Sequence, residues 1–208
     1  MHENGRLGPM EWAITGRPLP GEHISGDQTV ALAVRDDAAV FGVIDGLGHG
    51  PAAATAAMRA VDVLNRSPGE PIEVLIELCH RVLAGTRGVA MTLARIDFAA
   101  ATVTWTGVGN VSAHLIAKDV TGVHIRSSAR LAAGIVGYRI PEIKPAQSVS
   151  VRAGDLLVIA SDGIAEDHVD HIDFAASATG IAEHILGKHA KETDDAMVLT
   201  ARHRGASL

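Results

Sequence analysis

Cysteine is almost missing from this chain. Its 208 residues hold one, Cys79, which excludes an intrachain disulfide framework and a zinc site built on several thiolates. Aromatic residues make up only 3%, so the core is left to aliphatic side chains and alanine. An excess of positive charge is also lacking: 18 Lys and Arg stand against 24 Asp and Glu, a formal net charge of −6. Binding to a nucleic-acid backbone needs a basic face and is not expected. Apolar runs such as Leu156–Ala160 fall far short of the roughly 20 residues of a spanning helix. The first residues, Met-His-Glu-Asn-Gly-Arg, carry no apolar stretch of the secretory kind. The expectation is a soluble cytoplasmic protein that binds neither membrane nor nucleic acid.

What is present suffices for one domain. The chain is 47% hydrophobic with 22 glycines, and a chain of this length can bury a core without covalent staples. Residues 1–10 are polar and contain Gly and Pro, so a poorly ordered N-terminal segment is expected there. A single domain over 11–202 and a tail over 203–208 follow.

Val30, Leu32 and Val34 alternate with smaller or polar residues, and Val40–Ile44 forms a second apolar run after the turn signal Asp36-Asp37. Residues 29–44 therefore read as a hairpin. Pro51 stands where a helix favours its first residue, and an Ala-rich helix over 52–65 follows, with Met58, Val61 and Leu64 on one face. Ile72, Leu75, Ile76, Cys79, Val82 and Leu83 fall on one stripe of a second helix, with Cys79 as a core residue. Strands are expected at 89–97, 102–107, 112–117, 149–151, 156–160 and 196–201, with a helix near 178–189. The order is α+β, with antiparallel sheets covered by helices.

Acids stand at the strand ends. Asp27 precedes the first strand of the hairpin and Asp45 follows the second, and antiparallel pairing brings those two ends together. Asp162 follows strand 156–160, while Asp194 and Asp195 precede the last strand. If those two strands are also antiparallel neighbours, their acids meet as well. A single Asp-Gly pair is explained by turn chemistry. Four converging carboxylates repel one another unless hard divalent cations such as Mg²⁺ or Mn²⁺ sit among them. Gly46 and Gly163, each after an acid, permit close backbone approach.

Ser25-Gly26-Asp27, FGVIDGLGHGPAAATAA (41–57), GDLLVIASDGIAED (154–167) and TDDAMVL (193–199) resemble, in order, the motifs of the metal-dependent PP2C-type Ser/Thr phosphatases. The resemblance is to the bacterial subgroup of SpoIIE and RsbU. TRGVAMTLARID (86–97), TGVGNVSAHLI (106–116) and AAGIVG (132–137) are similar to its small single-domain RsbX branch. The resemblance implies an α-β-β-α sandwich of two mainly antiparallel sheets flanked by helices. It also implies a centre for two Mn²⁺ or Mg²⁺ ions at one edge of the β-sandwich. By the same resemblance Asp45 bridges both ions, Gly46 offers its carbonyl, and Asp27, Asp162 and Asp194 are ligands, Asp27 directly or through water. Asp195 is then outside the ligand set. Met197 departs from the pattern, since many members carry Thr there. Arg17 is the nearest arginine in sequence to the phosphate-binding arginine of other branches.

Two divalent cations would lower the pKa of a water and hold a phosphoryl group for in-line attack, so Asp45 and Asp162 would act through a metal-bound hydroxide. His49, three residues beyond Gly46, is a candidate general acid. The implied substrate is a phosphoserine or phosphothreonine on a STAS-domain regulator of a stress-response or sigma-factor switch. Arg126, Arg130 and Arg139, in a rim loop over 118–147, are candidates to touch that partner. His168 and His171, at i, i+3 with no third ligand, read as solvent-facing loop residues. Two other readings compete. The Asp45-Gly-Leu-Gly-His-Gly loop opening a helix suits a GHKL-like ATP-binding anti-sigma regulator, and a non-catalytic pseudophosphatase would only dock a partner.

Overall fold

The computed structural model describes residues 1–208 except 141, 142, 144, 171 and 206–208. The chain runs β1 (His2–Leu7), β2 (Met10–Arg17), β3 (Asp27–Val34), β4 (Ala38–Gly46), α1 (Pro51–Arg66), α2 (Ile72–Val82), β5 (Val89–Asp97), β6 (Thr102–Val108), β7 (Ser112–Asp119) and β8 (Gly122–Ser128). It continues through β9 (Leu131–Ala132), β10 (Gln147–Ser150), β11 (Leu156–Ala160), a 3-10 turn (Glu166–Val169), α3 (Ala178–His189) and β12 (Ala196–His203). One six-stranded sheet has the order β1-β2-β12-β11-β7-β8, and the other β10-β6-β5-β4-β3 with β9 beside β6. Every pairing between these strands is antiparallel except β6 with β9.

The central strands are apolar on both faces because both faces are covered. On β11, Leu157 and Ile159 point into the layer between the sheets with Phe41, Trp105 and Leu199. Leu156 and Val158 point the other way, onto Ile181 and Ile185 of α3. On the other side α1 and α2 cover Ile44, Met91 and Leu93. The architecture is the expected α-β-β-α sandwich. No helix among the described residues is long and apolar enough to cross a membrane.

Several expectations need correction. Segment 1–10 carries β1 and the start of β2, paired from His2↔Thr15 to Leu7↔Met10. Backbone ladders hold such an edge strand without a buried face, so its polar composition hid it. The same holds for β8, a mostly exposed strand within the segment read as a loop. Met58 is exposed, and α1 buries Ala53, Ala56, Ala57, Ala60 and Leu64 instead. Small side chains let the helix axis lie close to the sheet, turning Met58 outward. Arg126 is committed within the fold, to the Asp155 carboxylate and the Ser150 carbonyl. Arg130 and Arg139 are exposed.

Candidate metal centre

The alternation of β4 sends Ala39, Phe41 and Val43 between the sheets, and Asp45 is next in that series. Asp27 is its direct register partner on β3. On β11 the series Leu157, Ile159 continues to Ser161, whose hydroxyl donates to Asp27 Oδ2 at 2.7 Å and accepts from Met197 N at 3.0 Å. The β11–β12 pairing, Ala160↔Val198, brings Asp162 beside the 194–195 turn. The acids thus meet at one end of the sandwich, from strands of both sheets, rather than along the edge of one.

Each acid is held differently. Asp27 is 1% exposed, and burial together with the Asp195, Asp162 and Asp194 charges raises it to about 7, against the hydrogen bond from Ser161. Asp45 is raised to about 9, by burial first and then by the Asp27 charge. Asp162 is raised by burial and by Asp194, with Lys191 opposing. It accepts the Asn110 amide at 2.5 Å and receives Lys191 Nζ on its main-chain carbonyl at 2.6 Å. The acidic pair at 194–195 divides its work. Asp195 is buried, and its two oxygens accept Leu19 N and Gly26 N, both at 2.8 Å. That spends them on the loop leading to Asp27. Asp194 is half-buried and accepts only Asp195 N among the hydrogen bonds described.

The glycines are required by contact. A Cβ on Gly46 would stand 2.3 Å from the Ala53 carbonyl oxygen, and one on Gly163 would stand 1.8 Å from that of Asp195. The second contact joins the Asp162 loop to the 194–195 turn backbone against backbone. Gly163→Ala is expected to cost at least about 3 kcal/mol, the upper range of overpacking penalties. Gly187→Ala in α3, where an added Cβ meets nothing, is expected to stabilise by up to about 1 kcal/mol. Urea unfolding of both variants checks the contrast.

Among the described residues no three His, Cys, Asp or Glu side chains form a closed ligand cluster. The four carboxylates act on one another as charges. The chemistry of the set still fits hard divalent cations. All donors are oxygens, and burial and repulsion penalise the anionic forms of Asp27, Asp45 and Asp162, a penalty that a cation removes.

Other candidates fall elsewhere. The exposed ring of His49 pairs through Nδ1 with Glu22 at 3.1 Å. Arg17 donates to the carbonyls of Pro18 and Lys191 and pairs with Glu192. His168 does not face solvent: it is 3% exposed, its Nδ1 is 2.7 Å from the Ala165 carbonyl, and its ring lies 5.8 Å from that of His114. The 3-10 turn tucks it inward, and burial lowers its pKa. His171 lies outside the described residues. Cys79 is buried, as expected, with its thiol pushed up to about 12 by burial. Residue types alone did not single out Ser161, Asn110 and Lys191, although Ser161 and Asn110 sit inside quoted motifs. A cleft of about 450 Å³ lined by Asn110, Ser112, Leu131, Asp162 and Lys191, among others, opens beside the acids.

The family model of the stage II sporulation protein E, SpoIIE, matches residues 35–206. A protein solved in work on the bacterial stressosome, a modular system adapted to control secondary-messenger signalling, is 30% identical. That match covers 93% of this chain and 99% of the other, with a TM-score of 0.82. RsbX in complex with magnesium is 21% identical over 97% of this chain and 99% of its own, with a TM-score of 0.83. The PP2C phosphatase domain of SpoIIE from Bacillus subtilis, with a fragment of its regulatory domain, is 17% identical over 97% and 70%, with a TM-score of 0.72. At those identities the last two establish the fold alone. No curated protein gives a significant match.

Proposed function

The chain belongs to the SpoIIE family and is a PP2C-type protein phosphatase, and from this premise we propose that it hydrolyses phosphoserine or phosphothreonine with two divalent cations held by Asp27, Asp45, Asp162 and Asp194. The observation that carries the reading is the register pair Asp27↔Asp45 facing Asp162 and the 194–195 turn across the sandwich. Gly46 offers its carbonyl in the same set. Bound Mn²⁺ or Mg²⁺ supplies a nucleophile drawn from water and neutralises phosphoryl charge. The protein's own part is to keep the carboxylates in place. Ser161 fixes Asp27, Asn110 fixes Asp162, and Asp195 fixes the loop that presents Asp27. His49 has no part in this scheme, because its ring is turned to Glu22. An ATP-binding regulator would give the Asp45 loop a task but leave Asp162 and Asp194 without one. A docking module would leave four mutually repelling acids without a use.

The substrate we propose is a phosphorylated STAS-domain regulator of a stress-response switch in the cytoplasm. The stressosome work and the RsbX relative support that choice by likeness. With a formal net charge of −6, general charge attraction to a phosphoprotein is weak, and recognition falls to the rim of loops around the acids. Turnover of p-nitrophenyl phosphate is expected with Mn²⁺ and abolished by EDTA. On a phosphorylated STAS protein, kcat/KM is expected to exceed that on a phosphoserine peptide copied from it. Equal values would remove the specific-regulator reading, and EDTA-resistant turnover would remove the metal-dependent one.

A further inference from the structure

We propose that Arg87 receives the phosphoryl group of the substrate at the mouth of the acid cluster. This inference rests on the phosphatase reading, which brings a phosphate dianion to a site lined with carboxylates. A cationic side chain on the substrate side would add to the charge neutralisation that the cations supply and would fix the orientation of the phosphoryl oxygens. Three basic residues border the acid-bearing loops. Arg17 is spent on two carbonyls and Glu192, and Lys191 is drawn onto the Asp162 carbonyl.

Arg87 is placed differently. A Cβ on Gly48 would stand 2.9 Å from Arg87 Nη1, so the guanidinium lies against the loop leaving Asp45. Gly48 has φ +80°, a conformation that suits glycine, and glycine there leaves room for the guanidinium. The two loops are pinned together: Leu47 N donates to the Gly88 carbonyl at 3.1 Å, next to Arg87 in sequence. Gly48 is three residues from Asp45, at most about 10 Å of chain, so the guanidinium borders the acid cluster. Arg87 is exposed, and among the described residues no carboxylate stands at ion-pair distance from it. Glu22, which borders the same loop, is engaged by His49. A forked guanidinium matches two oxygens of a phosphoryl group in a way that a carbonyl-bound lysine does not.

The test uses the full chain loaded with Mn²⁺, as wild type, Arg87→Ala and Arg87→Lys. In Arg87→Ala, KM for p-nitrophenyl phosphate is expected to rise about tenfold and inhibition by inorganic phosphate to weaken about tenfold, the scale of a lost hydrogen bond to a charged group. The Mn²⁺ concentration that half-stabilises the protein is expected to stay unchanged. Inorganic phosphate should raise the melting temperature of Arg87→Ala only at about tenfold higher concentration than it does that of wild type, and Arg87→Lys should recover part of each effect. Wild-type KM and phosphate inhibition in Arg87→Ala would overturn the assignment. A parallel loss of Mn²⁺ binding would overturn it too, by making Arg87 a support of the metal loop. Absence of wild-type turnover would instead overturn the phosphatase reading, and the phosphate-dependent melting shift would still decide Arg87.

Discussion

Asp45→Asn is expected to lower Mn²⁺-dependent turnover by a thousandfold or more while leaving a folded protein. At pH 8 in EDTA that protein is expected to melt above wild type. The two effects have one origin. Asp45 stands opposite Asp27 in the β3–β4 register and feels the Asp162 and Asp194 charges, and under the proposed function it would be the ligand common to both cations. Removing its charge would remove that ligand, and with it the water activation and charge neutralisation that the cations would supply. Losses of about this order accompany removal of a group central to a catalytic unit. The same charge is a liability without cations, since burial and Asp27 raise the Asp45 pKa to about 9. Asparagine is close in shape and leaves the β4–β5 ladder, Asp45↔Ala90, intact. Turnover near wild type in a folded Asp45→Asn protein would remove the two-cation model. A chelated variant that melts well below wild type would show that Asp45 serves the fold instead.

Raising the pH from 5 to 9 is expected to destabilise the chelated protein and to enlarge the stabilisation that Mn²⁺ confers. Asp27 is raised to about 7 and Asp45 to about 9, from an ordinary value of 3.8. Between pH 4 and those values the native state holds protons that the unfolded chain has released. Stability therefore falls as pH rises through the window. Cations take the place of those protons, so their binding strengthens over the same range. At a hundredfold excess over Kd, binding to the native state alone adds about 2.7 kcal/mol. Melting temperatures with EDTA and with Mn²⁺, taken at pH 5, 7 and 9, check both slopes. A chelated melting temperature that rises with pH across this window would contradict the convergence of buried acids.

The hairpin, both long helices of the first half and the strands at 89–97 and 156–160 were legible because each buries an apolar face, and burial leaves a period in the sequence. The segments that escaped, β1 and β8, are edge strands held by backbone ladders, where side-chain pattern carries little information. Met58 misled for a related reason: hydrophobicity marks what can be buried, while the close approach of alanines decided which face was. His168, at i, i+3 from His171, reads as a loop residue, but the fold buries it and brings it against His114, which is 54 positions away in the chain.

By itself, the sequence determined the fold class, the family motifs and which acids stand at strand ends. All of these follow from local periodicity and from residues a few positions apart. The tertiary structure alone decided how the acids are shared out. Asp195 lies beside Asp194 in the chain, yet its oxygens are taken by Leu19 and Gly26, more than 160 residues earlier. Arg17 was the arginine nearest in sequence to the expected role, but its donors are drawn to Pro18, Lys191 and Glu192, while Arg87 lies against Gly48. Charges and hydrogen bonds act over a few ångströms of space whatever the separation along the chain. Their partners are therefore fixed only when the two sheets close on each other.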